Sequence, residues 1–167
     1  MDHLWAPWRR EFIVAPKPEG CIFCLYPEET GHEADRKNFI LGRSAKSFAI
    51  LNKYPYNNGH LMVVPRRHTG DYSALEHEEL DDLQHLLQIA LKIVNEVCKP
   101  AGANLGMNVG RDAGAGIEGH LHWHLVPRWR GDTNFMPVVG STKVMIETLD
   151  QTWDALQPRF EAVLSGR

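Results

Sequence analysis

One stretch constrains this chain more than any other: Gly119-His120-Leu121-His122-Trp123-His124-Leu125-Val126-Pro127-Arg128-Trp129. Imidazoles and apolar side chains alternate there with a period of two, the period of a β-strand, whose successive side chains point to opposite faces. A strand over residues 119–129 would put His120, His122 and His124 on one face and Leu121, Trp123 and Leu125 on the other. The chain must then fold so that the second face meets a core while the first opens onto something polar. Three adjacent imidazoles are poor packing material. Each has two ring nitrogens to satisfy, and neighbouring imidazolium charges repel.

The chemistry that uses such a row is nucleophilic attack on phosphorus. A neutral imidazole is a competent nucleophile near pH 7, and its phosphoramidate adduct is readily split by water or another acceptor. One histidine attacks while its neighbours fix its tautomer and donate hydrogen bonds to the phosphate and the leaving group. The competing reading is a strand whose histidines bind a metal or face solvent. A lone histidine would favour that reading. A triplet following the glycine-rich run Gly110-Arg111-Asp112-Ala113-Gly114-Ala115-Gly116 favours catalysis.

The rest of the pattern supplies a sheet for that strand. Residues 46–52 and 60–65 read as strands, and the turn formers Tyr54-Pro55-Tyr56-Asn57-Asn58-Gly59 between them make an antiparallel pair. From Glu78 to Lys99, Leu80, Leu83, Leu87, Ala90, Val94 and Val97 recur at helical spacing, with acidic residues at the start and Pro100 as the stop. Residues 103–109 return to strand texture, and a last helix is predicted from Thr148 to Leu164. The pattern predicts an α+β domain on an antiparallel sheet, with one long helix inserted and a second helix at the C-terminus. One sheet face lies under the helix and the other is free for a ligand. The 167 residues suit a single domain, with an N-terminal arm over 1–20, a core over 21–129 and a C-terminal extension over 130–167.

Charge narrows the partners. A net charge of −3 offers no broad basic surface, so nucleic acid is not expected. No apolar run approaches the ~20 residues of a membrane span. Met1 to Arg10 lacks the apolar core of a secretory signal. The expected location is therefore cytoplasmic.

Three cysteines make no disulfide framework, but Cys21-Ile22-Phe23-Cys24 has the spacing of a metal knuckle or a redox pair. No thioredoxin-like pattern surrounds it. His68, after Pro65-Arg66-Arg67, and His120 would complete a tetrahedral zinc site; the alternative is two buried thiols without metal. Cys98 reads as a packed small residue. Arg66, Arg67, Arg128 and Arg130 either steer a polyphosphate or form a solvated rim. His60 reads as a core or supporting histidine, and His77 and His85 as surface residues. Trp5, Trp8 and Trp153 read as packing or subunit contacts, and Trp129 as a residue flanking a substrate or a dimer seam.

The segment His120-Leu121-His122-Trp123-His124-Leu125-Val126 resembles the signature of the histidine triad (HIT) family, in which three histidines alternate with apolar residues. Phe48-Ala49-Ile50-Leu51-Asn52 and Gly59-His60-Leu61-Met62-Val63-Val64-Pro65 resemble that family's paired strands. Leu4-Trp5-Ala6-Pro7, Trp129-Arg130-Gly131-Asp132-Thr133-Asn134-Phe135 and Ser141-Thr142-Lys143-Val144 resemble a bacterial branch that includes diadenosine tetraphosphate phosphorylases.

The resemblance implies a HIT-like fold and a substrate that is an adenine-type nucleotide or a dinucleoside polyphosphate. His122 would attack the α-phosphate and form a covalent nucleotidyl-histidine, with His124 beside the bridging or leaving oxygen. Asn52 would bond the ribose hydroxyls. Ile50, on Asn52's face, and Met62, on His60's, would line the base pocket. Asn108 and the turn Gly114-Ala115-Gly116 would approach the phosphates, the turn through its backbone N–H groups.

Zinc-bearing members and the related galactose-1-phosphate uridylyltransferases share a Cys-x-x-Cys with two later histidines. That similarity implies structural Zn2+ on Cys21, Cys24, His68 and His120. Two departures stand out: the turn lacks the Gln, Ser or Thr of many members, and the triad ends in His124 where some phosphorylases carry Gln. A homodimer is implied, with the helix and C-terminal segments near the seam. The acceptor, inorganic phosphate or water, stays open, as does a Mg2+ or Mn2+ ion accompanying the polyphosphate. A purine nucleoside phosphoramidase and a largely non-catalytic nucleotide-binding sensor are the alternatives.

Overall fold

The computed structural model describes residues 20–140 and 144–166. A short helix α1 (Ile22–Leu25) and a 3-10 turn lead to α2 (His32–Asn38). Strands β1 (Ile40–Arg43), β2 (Ser47–Leu51) and β3 (Leu61–Pro65) follow, then the long α3 (His77–Cys98). Strands β4 (Gly102–Met107) and β5 (Trp123–Arg128) precede α4 (Met136–Gly140) and α5 (Leu149–Leu164). The five strands form one sheet in the order β1-β2-β3-β5-β4, every neighbouring pair antiparallel. This is the expected α+β fold, an antiparallel sheet with one long inserted helix and a C-terminal helix.

Both long helices carry their own start signals. Glu76 and Glu79 form a capping box at the head of α3, and Thr148 and Gln151 form another at the head of α5. Each box satisfies two backbone N–H groups that the first helical turn leaves without partners. Lys99, in the left-handed conformation at φ 46°, ends α3 just before Pro100.

The period of two along the strands divides the apolar residues between two layers. Leu41, Ala49, Leu51, Leu61, Val63 and Leu125 pack against α3 and α5 in the larger core. Ile40, Phe48, Ile50, Met62 and Val64 face the other way, against Phe23 and its neighbours in the N-terminal segment. The second layer is small and covers only part of its face. Helices therefore seal one side of the sheet and leave the other with room for a pocket, as expected. Trp153 is packing, as read from the sequence: it is buried in the larger core, and its indole N–H donates to the Ile40 carbonyl at 2.9 Å.

Several elements differ from the sequence reading, and two of the differences bear on the sheet. The histidine strand begins at Trp123 and not at residue 119, so His120 and His122 precede it. The ladder with β3 stops at Val63↔Trp123. Beyond it the Pro65 carbonyl is engaged by the His120 ring, and the Leu121 N–H turns away to the Thr69 carbonyl at 2.8 Å. The second difference is the pair α2 and β1, which the sequence pattern did not announce. Helix α2 reads HEADRKN without an apolar stripe, and β1 is four residues long with a glycine inside it. Neither offers a period to read. Among the described residues no helix is long and apolar enough to cross a membrane.

Candidate active site

Two backbone groups set the tautomers of three neighbouring imidazole rings. The His122 Nδ1 lies 2.8 Å from the His120 carbonyl oxygen. A carbonyl oxygen only accepts, so Nδ1 carries the proton and Nε2 is left with its lone pair. On the next ring, the Tyr56 backbone N–H donates to His60 Nδ1 at 2.9 Å. His60 therefore holds its proton on Nε2, which lies 2.9 Å from His124 Nδ1 and donates to it. His124 in turn keeps its proton on Nε2. Burial, then the neighbouring His122, pushes the His124 pKa down to about 4, so the ring is neutral near pH 7. The His122 and His124 ring centres are 5.0 Å apart. One bears a nucleophilic nitrogen and the other a donor.

These two rings open onto a cavity of about 330 Å3 on the sheet face that α3 leaves free. Ile50 and Met62, opposite one another in the β2–β3 register, line its floor together with Phe23 and Ile117. Asn52, just past the end of β2, stands at the same cavity with its side-chain oxygen accepting from the Tyr54 N–H at 2.9 Å. Tyr26, Tyr54 and Tyr56 contribute aromatic surface. The residues brought together are thus an apolar slot, an amide at its edge and two imidazoles.

The glycine-rich turn departs from expectation at Gly114 and Ala115. Gly114 and Gly116 line the cavity, and Ala115 does not. The turn closes on itself: the Gly114 N–H donates to the Arg111 carbonyl at 2.8 Å and the Ala115 N–H to Gly110 at 3.2 Å. Two of the three N–H groups expected to reach a phosphate are consumed by this closure, and only Gly116 keeps its N–H out of it. Gly114, at φ +89°, adopts a conformation that favours glycine. Asn108 lies beside this turn, its side-chain nitrogen 3.9 Å from where a Cβ at Gly114 would stand. It lines a neighbouring groove with His124 and does not line the apolar slot.

Cys21, Cys24, His68 and His120 meet on the other side of Phe23, with one ligand atom each and all four within 4.8 Å of one another. His68 Nδ1 and His120 Nδ1 are 3.3 Å apart, and the sulfur–nitrogen distances are 3.3–3.5 Å. Tetrahedral zinc would space a nitrogen pair about 3.3 Å apart and a nitrogen–sulfur pair about 3.5 Å. The His120 Nε2 lies 2.7 Å from the Pro65 carbonyl and must donate to it, so the Nδ1 lone pair points into the cluster. Four electron-pair donors converge with nothing to separate them, and the residues fit a structural metal. The Phe23 ring stands 5.4 Å from His120 and 5.2 Å from His122, packed between the cluster and the His122 ring.

Other candidates sort themselves. Arg67 is paired with Glu79 and Arg66 reaches the Ser44 carbonyl, so neither approaches the cavity. Arg128 pairs with Asp132 and lines the groove beside His124. Trp129 lines a cavity with Asn58, Cys98 and Ile146, away from the histidines. Burial raises the Cys98 thiol to about 11, in keeping with a packed residue. His77 and His85 are exposed. Trp5 and Trp8 lie outside the described residues.

Sequence reasoning missed how His60 and the Tyr56 N–H act on His124. The signal was weak but present: His60 sits two residues before Met62, which pairs with His124 across the ladder.

Comparison with known proteins agrees with this geometry. Residues 33–131 match the HIT domain family. The chain is 36% identical over 157 residues to the AP-4-A phosphorylase of Mycobacterium tuberculosis, covering 91% of this chain and 80% of that one. A hypothetical histidine triad nucleotide-binding protein from Sulfolobus tokodaii superposes with a TM-score of 0.64 at 28% identity, covering 87% of this chain and 93% of that one. A Zn-bound histidine triad family protein from Mycobacterium smegmatis has the same fold, with a TM-score of 0.66 at 20% identity, covering 88% of this chain and 97% of that one. By the extent of the domain match and the identity to the M. tuberculosis relative, the chain belongs to the HIT family.

Proposed function

We propose that the protein is a nucleotidyltransferase acting on diadenosine polyphosphates, with His122 as the nucleophile. The observation that carries this reading is the fixed pair of tautomers, a lone pair on His122 Nε2 beside an N–H on His124 Nε2. His122 Nε2 attacks the α-phosphorus. The bond to the bridging oxygen breaks, its electron pair leaves with the nucleoside polyphosphate, and AMP stays on His122. Positive charge on the His122 ring is stabilised by the Nδ1–H bond to the His120 carbonyl. The departing oxygen belongs to a phosphate, so it leaves as an anion that needs a hydrogen bond from His124 and not a full proton. Asn108 and the Gly116 N–H would stabilise the other phosphate oxygens.

An acceptor oxygen then attacks the same phosphorus, and the P–N bond breaks with its pair returning to His122 Nε2. Inorganic phosphate brings an oxygen that is already deprotonated. Water has to lose a proton in a cavity where the lining, among the described residues, includes no carboxylate. This favours phosphorolysis, in which diadenosine tetraphosphate and phosphate give ATP and ADP. The name of the M. tuberculosis relative supports the same reaction. For want of a carboxylate in that lining, a Mg2+ or Mn2+ ion would have to arrive on the polyphosphate itself.

Ile50 and Met62 would hold the base, and Asn52 the ribose. Structural Zn2+ on Cys21, Cys24, His68 and His120 would, when bound, close that corner of the fold. His120 would thereby hold the carbonyl that orients His122. We read the chain as one HIT domain acting in the cytoplasm as a homodimer. The exposed apolar side chains of Phe135, Val139 and Ile146 in the C-terminal extension support such a seam, and light scattering tests it.

The reaction is tested by product analysis with diadenosine tetraphosphate. ATP plus ADP appearing only with inorganic phosphate is the expected result. ATP plus AMP without phosphate would make the protein a hydrolase. Survival of the dinucleotide under both conditions would overturn the reading and favour a phosphoramidase or a sensor.

A further inference from the structure

Residues 21–26 serve two sites at once. Cys21 is the N-cap of α1 and Cys24 its third residue, and both sulfurs face the His68 and His120 rings. Ile22, Phe23 and Tyr26 line the apolar slot. Helical spacing makes this division, because side chains three or four positions apart share a face. Cys21 and Cys24 thus stand on one side of the turn, Ile22 and Tyr26 on another, and the buried Phe23 fills the space between.

The two walls of the slot are held very differently. Ile50 and Met62 sit inside β2 and β3 as cross-strand partners, fixed by the sheet ladder. Facing them, α1 is a single turn of four residues, too short to hold its own shape, and its N-cap makes no side-chain hydrogen bond. Phe23 is its one buried residue, while Ile22 and Tyr26 are half-buried. Further anchors lie beyond it, where the Arg43 guanidinium donates to the Pro27 carbonyl at 3.3 Å and the Glu29 carbonyl at 2.9 Å. At α1 itself the polar side chains that reach the rest of the fold are Cys21 and Cys24, and they reach it at the four-ligand cluster.

We propose that Cys21 and Cys24, with His68 and His120, are positioning residues for the nucleoside: a metal held by the four fixes α1 as the second wall of the slot, so that metal and nucleoside bind cooperatively. The inference rests on the function proposed above, which places the base between that wall and Ile50 and Met62. A nucleoside entering metal-free protein has to order α1 itself, whereas one entering loaded protein finds the wall in place. Linkage then runs both ways, and a bound nucleotide must tighten the metal by the same factor.

The test uses AMP and Zn2+ as probes, at a temperature where circular dichroism shows the metal-free protein folded. By titration calorimetry, AMP should bind the Zn2+-loaded protein about tenfold more tightly than protein stripped by a chelator. In competition with a chelator, saturating AMP should tighten Zn2+ by the same factor. Backbone amides of residues 22–26 should exchange more slowly when either probe is bound. Ile22→Ala keeps all four ligands, and should weaken AMP binding to the loaded protein about threefold while narrowing the gap between the loaded and stripped forms. Thr148→Ala removes the α5 capping box, touches neither site, and should leave the gap unchanged although it lowers the melting temperature.

Equal AMP affinity with and without metal, or Zn2+ affinity indifferent to AMP, would overturn the coupling and leave the proposed function standing. A gap that widens in Thr148→Ala would trace the effect to global stability and sink the coupling too. So would wild-type AMP affinity in loaded Ile22→Ala, a result that does not depend on the stripped protein folding. Failure of AMP to bind the loaded wild type at all would remove both the coupling and the nucleotide reading beneath it.

Discussion

The two flanks of His122 are built from the same side chain and do opposite things. On one flank, His120 and His68 turn their Nδ1 lone pairs toward each other and toward two sulfurs, 3.3–3.5 Å apart, which suits a cation. On the other, His60 and His124 meet at 2.9 Å as donor and acceptor, which suits proton placement. The difference comes from what the second nitrogen of one ring touches. His120 Nε2 is committed to the Pro65 carbonyl, an acceptor, while His60 Nδ1 is committed to the Tyr56 N–H, a donor. A histidine's role here is written by a backbone group two or more residues away in space, and residue type alone does not give it.

The largest expected effect falls between the flanks. His122→Ala should lower turnover by about 10^4-fold or more while nucleotide affinity, read by calorimetry, stays close to wild type. On the metal flank, Cys24→Ser or a strong chelator should lower the melting temperature by about 10 °C or more, because a structural metal's binding energy is folding energy. The same treatment of His60→Asn protein should give the same drop, since the flanks are separate.

On the donor flank, His60→Leu should reduce kcat by about 10^2-fold with little change in KM or melting temperature. His60→Asn, which keeps an N–H for His124 Nδ1, should recover much of that loss. Equal defects in the two variants would break the account of His60 as the residue that sets the His124 tautomer.

Acid sensitivity sharpens the contrast. The folded pKa of His124, about 4, lies below its ordinary value of 6.5. The unfolded chain therefore takes up the proton first as pH falls. The associated stability is complete above about pH 6.5 and is lost toward pH 4. His124→Gln should consequently lose fewer degrees of melting temperature between pH 7 and pH 5 than the wild type does. The smallest effect is expected at Asn52, where substitution by alanine should raise KM about three- to tenfold without changing kcat.

Features set by local pattern were legible in the sequence. The Cys-x-x-Cys with His68 and His120, the long helix and the β2–β3 pair all stand where periodicity and spacing put them. The grouping of Ile50, Met62, Asn52, His122 and His124 around one cavity was implied by the resemblance to the HIT family and not by local pattern. What was not legible depends on the third dimension. The His60–His124 bond requires the β3–β5 register, which pairs Met62 with His124; that His60 shares Met62's face was readable, but the register between strands some sixty residues apart was not. The strand start at Trp123 reflects the Pro65 carbonyl being claimed by a side chain, and the lost N–H donors of Gly114 and Ala115 reflect closure of their own turn. Both are competitions for backbone groups, which alternation of side chains does not encode.

The central claim is that His122 becomes covalently attached to the nucleotide. Its most direct test mixes the protein with diadenosine tetraphosphate in the absence of acceptor phosphate, quenches in alkali, where phosphoramidates persist, and maps the modified peptide by mass spectrometry. The account predicts one AMP on the peptide containing His122, and none on His122→Ala protein. Turnover that persists in His122→Ala, or an adduct on any other residue, would contradict it.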